Sequence, residues 1–203
     1  MKIRQKIYLP LKAFLDIFFA LFLLVLLFVP IILIGICVKC SSKGPIFFKQ
    51  RRIGKNNKEF NLLKFRTMRI DSPSDVPTHL LDNPEIYITK LGKFLRKTSI
   101  DELPQLFNIL CLKMSFVGPR PALYNQFDLI ELRNKNNSSK IRPGLTGLAQ
   151  VKGRDTLSIQ TKATYDGQYY KKFGFFYDFG IVLLTFGRVF REDGVREGKE
   201  KDE

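Results

Sequence analysis

The sequence predicts a helix-rich α/β chain with an N-terminal helix embedded in a membrane. Three observations lead there. Ile17–Val38 runs 22 residues without a charge. Two segments with strand character, Pro45–Lys49 and Glu59–Arg66, flank a turn near Gly54–Lys58. Helical patterns then recur from Ile88 to the C-terminal end. A length of 203 residues suffices for one domain with a real core and an appendage. The expected division is residues 1–40 as the membrane segment, 41–190 as the folded domain, and 191–203 as a charged, disordered tail.

Taken in order, the N-terminus brings Lys2, Arg4, Lys6 and Lys12 ahead of the uncharged run. At about 1.5 Å per residue that run covers roughly 33 Å, enough to cross a bilayer core. It is too long for a cleaved signal peptide and lacks a small-x-small cleavage site. Two features oppose a simple crossing. Pro30 leaves 13 apolar residues before it and eight after. Both flanks are basic, since Lys39, Lys43, Lys49, Arg51 and Arg52 follow the run, so the positive-inside rule gives no orientation. A helix bent at Pro30, entering and leaving one leaflet, satisfies both features. A straight spanning helix is the alternative, because proline is tolerated in membrane helices.

The formal charge is +15, which calls for an anionic partner: nucleic acid, an acidic membrane surface or phosphorylated substrates. No nucleic-acid recognition motif is visible, and ten of the cations crowd into Lys39–Arg69 beside the apolar run, where anionic lipids account for them. Three cysteines without a framework spacing indicate a reducing compartment. Cys37-Val-Lys-Cys40 has no second pair to complete a zinc site. His79 is the one histidine, which removes Ser-His and Cys-His nucleophile pairs and multi-histidine metal sites. Carboxylates, lysines and arginines must carry any chemistry.

Residues 71–85 read as an exposed loop with His79 solvated in it. Helices are expected at Ile88–Lys97, Leu103–Leu112 and Ala122–Arg133, with a rigid turn Met114–Pro121 built around Arg120. Arg142–Arg154 reads as a loop whose glycines let backbone approach a ligand. It is neither a Walker loop nor G-x-G-x-x-G. Phe173–Gly180 and the helix through Phe190 are aromatic and apolar, and core is the default reading over the headgroup region.

The stretch Arg96–Leu106 organises the rest. Asp101 and Glu102 are adjacent carboxylates between a basic segment and an apolar helical pattern. Ser99 and Glu102 fit the S-x-x-E capping box, and Pro104 suits a first turn. On this stretch alone two readings stand: cap and dipole partners, or a nucleophile and metal ligand beside a phosphate-binding helix N-terminus.

Five blocks occur in a telling order: Ser42–Phe48, Lys64–Met68, Thr98–Leu106, Met114–Pro121 and Arg142–Arg154. Over about residues 10–190 this order resembles the bacterial sugar transferases known as small monotopic phosphoglycosyl transferases. The resemblance implies a re-entrant membrane helix and a compact α/β domain with interfacial amphipathic helices. It implies residence on the cytoplasmic face of the bacterial inner membrane. The implied reaction moves a sugar 1-phosphate from a UDP-sugar to a polyprenyl phosphate such as undecaprenyl phosphate, releasing UMP. That is the first membrane step of O-antigen, capsule, exopolysaccharide or glycoprotein glycan assembly. Mg²⁺ is implied, with Mn²⁺ as an alternative, and downstream glycosyltransferases are the implied protein partners.

By the same resemblance Asp101 is the nucleophile, Asp101 and Glu102 hold the metal, and Lys64, Arg96, Arg120 and Arg154 contact phosphate. Two positions depart from the family pattern. Lys12-Ala13 stands where Lys-Arg is usual, and Val29-Pro30 where Ser-Pro is usual, so no hydroxyl is available to a freed carbonyl at the bend. An inactive membrane tether and a nucleic-acid-binding membrane protein are the readings from other classes.

Overall fold

A computed structural model describes residues 1–73, 81, 83–153 and 156–191. His79, Arg154 and all but the first residue of the 191–203 tail lie outside these residues.

Helix α1 (Ile3–Leu26) and helix α2 (Phe28–Ser41) meet at a break at Leu27, which takes φ −97° and ψ 12°. The cause lies three residues on. Pro30 has no N–H to give the Leu26 carbonyl, and its ring crowds that carbonyl. Pro10 sits inside α1 without interrupting it. The difference is support. Around Pro10 the helix is tied down by Gln5, whose amide donates to the Tyr170 carbonyl at 2.8 Å, and by Tyr8 and Lys12, which both reach Asp178. Around Leu27 the side chains from Val25 to Val29 are largely exposed and apolar.

Gln5, Tyr8, Lys12, Asp16 and Ala20 form the buried stripe of α1, at three- and four-residue spacing. Lys12 therefore lies inside the helix and against the domain, rather than flanking the apolar run as a solvated cation. Among the described residues α1 is the one helix long and apolar enough to cross a membrane.

Strand β1 (Phe47–Ile53) pairs antiparallel with β2 (Glu59–Phe65) across a 3₁₀ turn at Lys55–Asn57, as the hairpin reading expected. Helix α3 (Lys90–Lys97) is capped by Thr89, whose hydroxyl accepts from the Gly92 N–H at 2.9 Å. After a 3₁₀ turn at Ile100–Glu102 comes α4 (Gln105–Leu110). Strand β3 (Ser115–Val117) opens the segment expected to be only a turn. The helix expected from Ala122 begins later: Ala122–Leu123 is strand β4, added to the β1 edge, and α5 runs Phe127–Lys135. The sheet order is β2-β1-β4.

The segment expected as a loop after Arg142 holds β5 (Gly144–Thr146), parallel to β3, and the short helix α6 (Leu148–Lys152). Helix α7 (Ile159–Lys172) starts at Ser158, whose hydroxyl accepts from the Thr161 N–H. Helix α8 (Phe175–Arg191) completes the described chain.

Among the described residues four apolar clusters hold these elements, one of them, Ala122, Leu129 and Ala163, joining β4, α5 and α7. Tyr8, Val117, Tyr169, Phe173 and Ile181 join α1 to β3, α7 and α8. Ala20, Leu62, Leu106, Ile109 and Met114 join α1 to β2 and α4. Val38, Phe65 and Leu95 join α2, β2 and α3. Strand β2 is thus covered on both faces, by α1 and α4 on one side and α2 and α3 on the other. Core is only half the description of α8: Phe173 just before it and Ile181 within it are buried, whereas Phe175, Phe176, Phe179, Leu183, Leu184 and Phe186 are exposed.

Buried Arg133, Asp166, Lys12 and Asp178 are paired, as their desolvation demands. Arg133 donates from Nε and Nη2 to Asp166 Oδ2 at 2.8 and 2.7 Å, joining α5 to α7. Burial raises the Asp166 carboxyl from its ordinary value, and the Arg133 guanidinium opposes that shift. Asp178 accepts from Tyr8, Lys12 and Tyr169. Burial first, and the Asp178 carboxylate second, push the Tyr169 hydroxyl well above its ordinary value, so it stays a donor.

Candidate active site

The dyad sits on the 3₁₀ turn between α3 and α4. Ser99, just before it, is left-handed at φ 56°, a conformation that costs a non-glycine residue about 1–2 kcal/mol. The expected capping box does not form. Ser99 makes no side-chain cap bond, Pro104 is the N-cap of α4, and the Glu102 carboxylate turns elsewhere. Its Oε1 accepts from Lys64 Nζ at 2.7 Å and Arg120 Nη2 at 3.1 Å. Lys64 Nζ also lies 3.4 Å from Asp101 Oδ2. Three separate stretches of sequence therefore converge on one carboxylate pair.

Local structure explains why. On β2, Leu62 faces α4, and Lys64, two residues on, shares that face. Its ammonium thus reaches the turn that begins α4. Arg120 lies on the Gly118–Pro121 turn, between β3 and β4. Arg52 on β1 holds that turn by donating to the Pro121 carbonyl at 2.8 Å.

Asp101 and Glu102 are only 6% and 8% exposed. A buried carboxylate loses several kcal/mol of hydration. One unit charge at about 4 Å returns roughly 4 kcal/mol at an effective dielectric of 20. A pair of adjacent carboxylates therefore needs more than one cation, and the site supplies Lys64 and Arg120. Arg96 stands in the last turn of α3, half-buried, and α3 packs directly on the dyad turn.

Two of the three glycines expected to admit a ligand, Gly144 and Gly147, approach backbone instead. A Cβ at Gly144 would fall on the Gly118 backbone nitrogen, and one at Gly147 on the Gly118 carbonyl oxygen. They allow β5 to pass close beside β3 and so fix where the Arg120 turn begins. Asp16 on α1 adds to the same junction. It accepts from the Ser115 hydroxyl and Phe116 N–H at 3.0 and 3.1 Å, and Arg142 Nη2 lies 3.1 Å from its other oxygen.

Residues 7–192 match the bacterial sugar transferase family. The chain belongs to that family. Among its relatives is the sugar transferase EpsL of Bacillus subtilis, itself uncharacterised. It is 38% identical over 187 residues, spanning 92% of this chain and 91% of that protein. The UDP-glucose:undecaprenyl-phosphate glucose-1-phosphate transferase of Xanthomonas campestris is 36% identical over 193 residues. That stretch is 92% of this chain but only 40% of the Xanthomonas protein. The exopolysaccharide production protein ExoY of Rhizobium meliloti is 38% identical over 185 residues, 81% of this chain and 79% of that protein.

In this sugar transferase the sequence reading had not singled out Arg66, Asp16 or Asp178. Arg66 is buried and donates from Nη2 to the Val38 and Ser42 carbonyls at 3.1 and 2.6 Å, closing the C-terminal end of α2. Burial lowers its guanidinium from the usual value. The available signal was a charge inside or just beyond an apolar run, since such a charge must find a partner.

The Gly118–Gly147 contact generates a test. Gly147→Ala should unfold the β3–β5 junction or displace the Arg120 turn, seen as a lowered melting temperature. Gly180→Ala, where an added Cβ meets nothing within 4 Å, should leave the melting temperature unchanged or higher. Equal behaviour of the two variants would refute the close-approach explanation.

Proposed function

We propose that this chain transfers a sugar 1-phosphate from a UDP-sugar to a polyprenyl phosphate such as undecaprenyl phosphate, releasing UMP. The observation that carries the reading is the buried Asp101–Glu102 pair bracketed by Lys64 and Arg120 beside the membrane helix. The activity named for the Xanthomonas relative supports it.

The chemistry follows from charge. Donor and acceptor are both anions, and the nucleophile is a third. An Asp101 oxygen attacks the phosphorus that bears the sugar. An Asp–O–P bond forms, and the P–O bond to UMP breaks, with UMP keeping the bridging oxygen. A polyprenyl phosphate oxygen then attacks the same phosphorus and releases the Asp101 carboxylate. Glu102 holds Lys64 and Arg120 in place at the reacting phosphate. The Lys64 ammonium serves as a point charge, and the Arg120 guanidinium suits two-point contact with phosphate oxygens. Arg96 and Arg154 are proposed as further phosphate contacts.

The donor set fits Mg²⁺ or Mn²⁺. Asp101 and Glu102 offer hard oxygens, and the described residues contain no cluster of three or more His, Cys, Asp or Glu side chains. Mg²⁺ commonly takes one or two carboxylates and completes its shell with phosphate oxygens and water. A bound ion would add positive charge where the phosphates meet.

The same reading places the protein on the cytoplasmic face of the bacterial inner membrane, with a re-entrant helix pair. Both arms pack on one domain: Tyr8 and Ala20 from α1, Val38 from α2. Between Ala20 and Val38 the exposed apolar side chains cluster around the break, including Phe22, Leu26, Val29 and Leu33. Each free arm then projects only on the order of 10–15 Å, against roughly 30 Å of hydrocarbon. That depth suits one leaflet. Exposed Phe176, Phe179 and Leu183 on α8 belong in the headgroup region beside it. The exposed cations Lys39, Lys43 and Lys49, with Lys90, Lys93 and Lys97 on α3, meet anionic lipids.

Two measurements test this. UDP-sugars screened with undecaprenyl phosphate and Mg²⁺ should give UMP with at least one donor. EDTA should abolish the activity and Mg²⁺ or Mn²⁺ restore it, while Lys64→Met should lower it by about a hundredfold. No UMP from any donor, or full activity in chelator, would overturn the reading. For topology, single cysteines at positions 4 and 43, in a variant lacking Cys37, Cys40 and Cys111, should label from the same side. Labelling from opposite sides would exclude re-entry.

A further inference from the structure

We propose that Asn108 is the positioning residue that sets Lys64 and Arg120 against the Asp101–Glu102 pair. The proposal rests on the sugar-phosphate transfer reading for its kinetic part only.

Asn108 lies on α4, two turns beyond the dyad, and is 7% exposed. Its side-chain nitrogen donates to the Asn61 carbonyl at 2.8 Å, and its side-chain oxygen accepts from the Leu63 N–H at 2.9 Å. Only one orientation of the amide serves both partners, so the assignment of nitrogen and oxygen is fixed by the pair. The two bonds bracket Leu62 and end one residue before Lys64.

Their placement has a structural reason. Among the described residues β2 is an edge strand, paired only with β1. Its outer N–H and C=O groups face α4, where a helix offers no backbone partner. Asn108 satisfies two of them as a neighbouring strand would. The contact around it is otherwise apolar, between Leu62, Leu106 and Ile109. Apolar contact tolerates sliding, whereas two directional bonds set a register. A slip of β2 along α4 would carry Lys64 away from Glu102.

The backbone of the same residue sets the third member. The Asn108 carbonyl accepts from the Lys113 and Met114 N–H groups at 3.0 and 3.2 Å. Those bonds close the turn that leads into β3, and β3 leads to the Arg120 turn. Asn108 is therefore tied by sequence to the dyad, by side chain to the Lys64 strand, and by backbone to the Arg120 strand. No substrate contact is required of it.

The test uses the full-length protein in detergent or nanodiscs. Asn108→Asp keeps the acceptor for Leu63 and loses the donor for Asn61; Asn108→Leu loses both at similar volume. Per folded molecule, kcat for UMP release should fall about tenfold or more, with KM for the UDP-sugar within about threefold. Combined with Lys64→Met, the losses should be far less than multiplicative, because both act on the same ammonium. A second readout needs no activity: acetylation of Lys64, measured against exposed Lys55, should speed up severalfold in Asn108→Asp. A third needs no variant: in the unaltered protein the Leu63 amide should exchange as slowly as sheet-paired amides. Multiplicative losses with unchanged Lys64 labelling, or a fast Leu63 amide, would overturn the proposal. An unaltered protein that makes no UMP would defeat the transfer reading and leave the labelling and exchange results to decide Asn108.

Discussion

Everything in this fold answers to one constraint: two adjacent carboxylates are buried, and cations must reach them from distant parts of the chain. Lys64 comes from the edge of a hairpin and Arg120 from a proline-flanked turn. Neither could arrive without a framework that fixes β2, β3 and the dyad turn to one another. The framework is small. Its strands are short, and its helices owe their stability to contact rather than to length. Precision comes from close backbone approach at Gly118, Gly144 and Gly147, and from side chains that bond backbone, Asn108 and Arg52.

The long apolar helix α1 is part of that framework rather than an appendage to it. Asp16 bonds β3 from inside α1, and Lys12 and Tyr8 bond α8. On the other arm Arg66, two residues past Lys64, closes the end of α2. The strand that carries Lys64 is therefore tied directly to α2. On the proposed function, a polyprenyl phosphate bound beside α2 would have its phosphate near the strand and its chain in the bilayer. Under the proposed function, this arrangement would let one small domain join a water-soluble donor to a membrane-bound acceptor.

The dyad and the hairpin were legible in the sequence because each has a local signal: adjacent carboxylates at a helix start, and two strand segments around a turn. Lys64 and Arg120 stood out only through the blocks that surround them. S-x-x-E at Ser99–Glu102 matches a capping box, but Glu102 is drawn away by cations 38 and 18 residues distant, which no local pattern registers. β4 and β5 span two and three residues, too few to express a period. Gly144 and Gly147 suggested room for a ligand, but the space there is taken by backbone. Lys12 and Asp16 fall where charges bordering an apolar run are expected, and only the folded structure shows that they face inward.

The central claim is that Asp101 is a nucleophile held ready by its neighbours, rather than a base acting on the acceptor. The acceptor phosphate is already a strong anion near neutral pH and has little need of a base. The most direct measurement is an intact mass spectrum of the protein after UDP-sugar alone, with no polyprenyl phosphate present. Covalent catalysis predicts a gain equal to the phosphosugar, mapped to Asp101, with one equivalent of UMP released and both signals lost in Asp101→Asn. No adduct, with UMP appearing only when lipid is added to an active preparation, would contradict it.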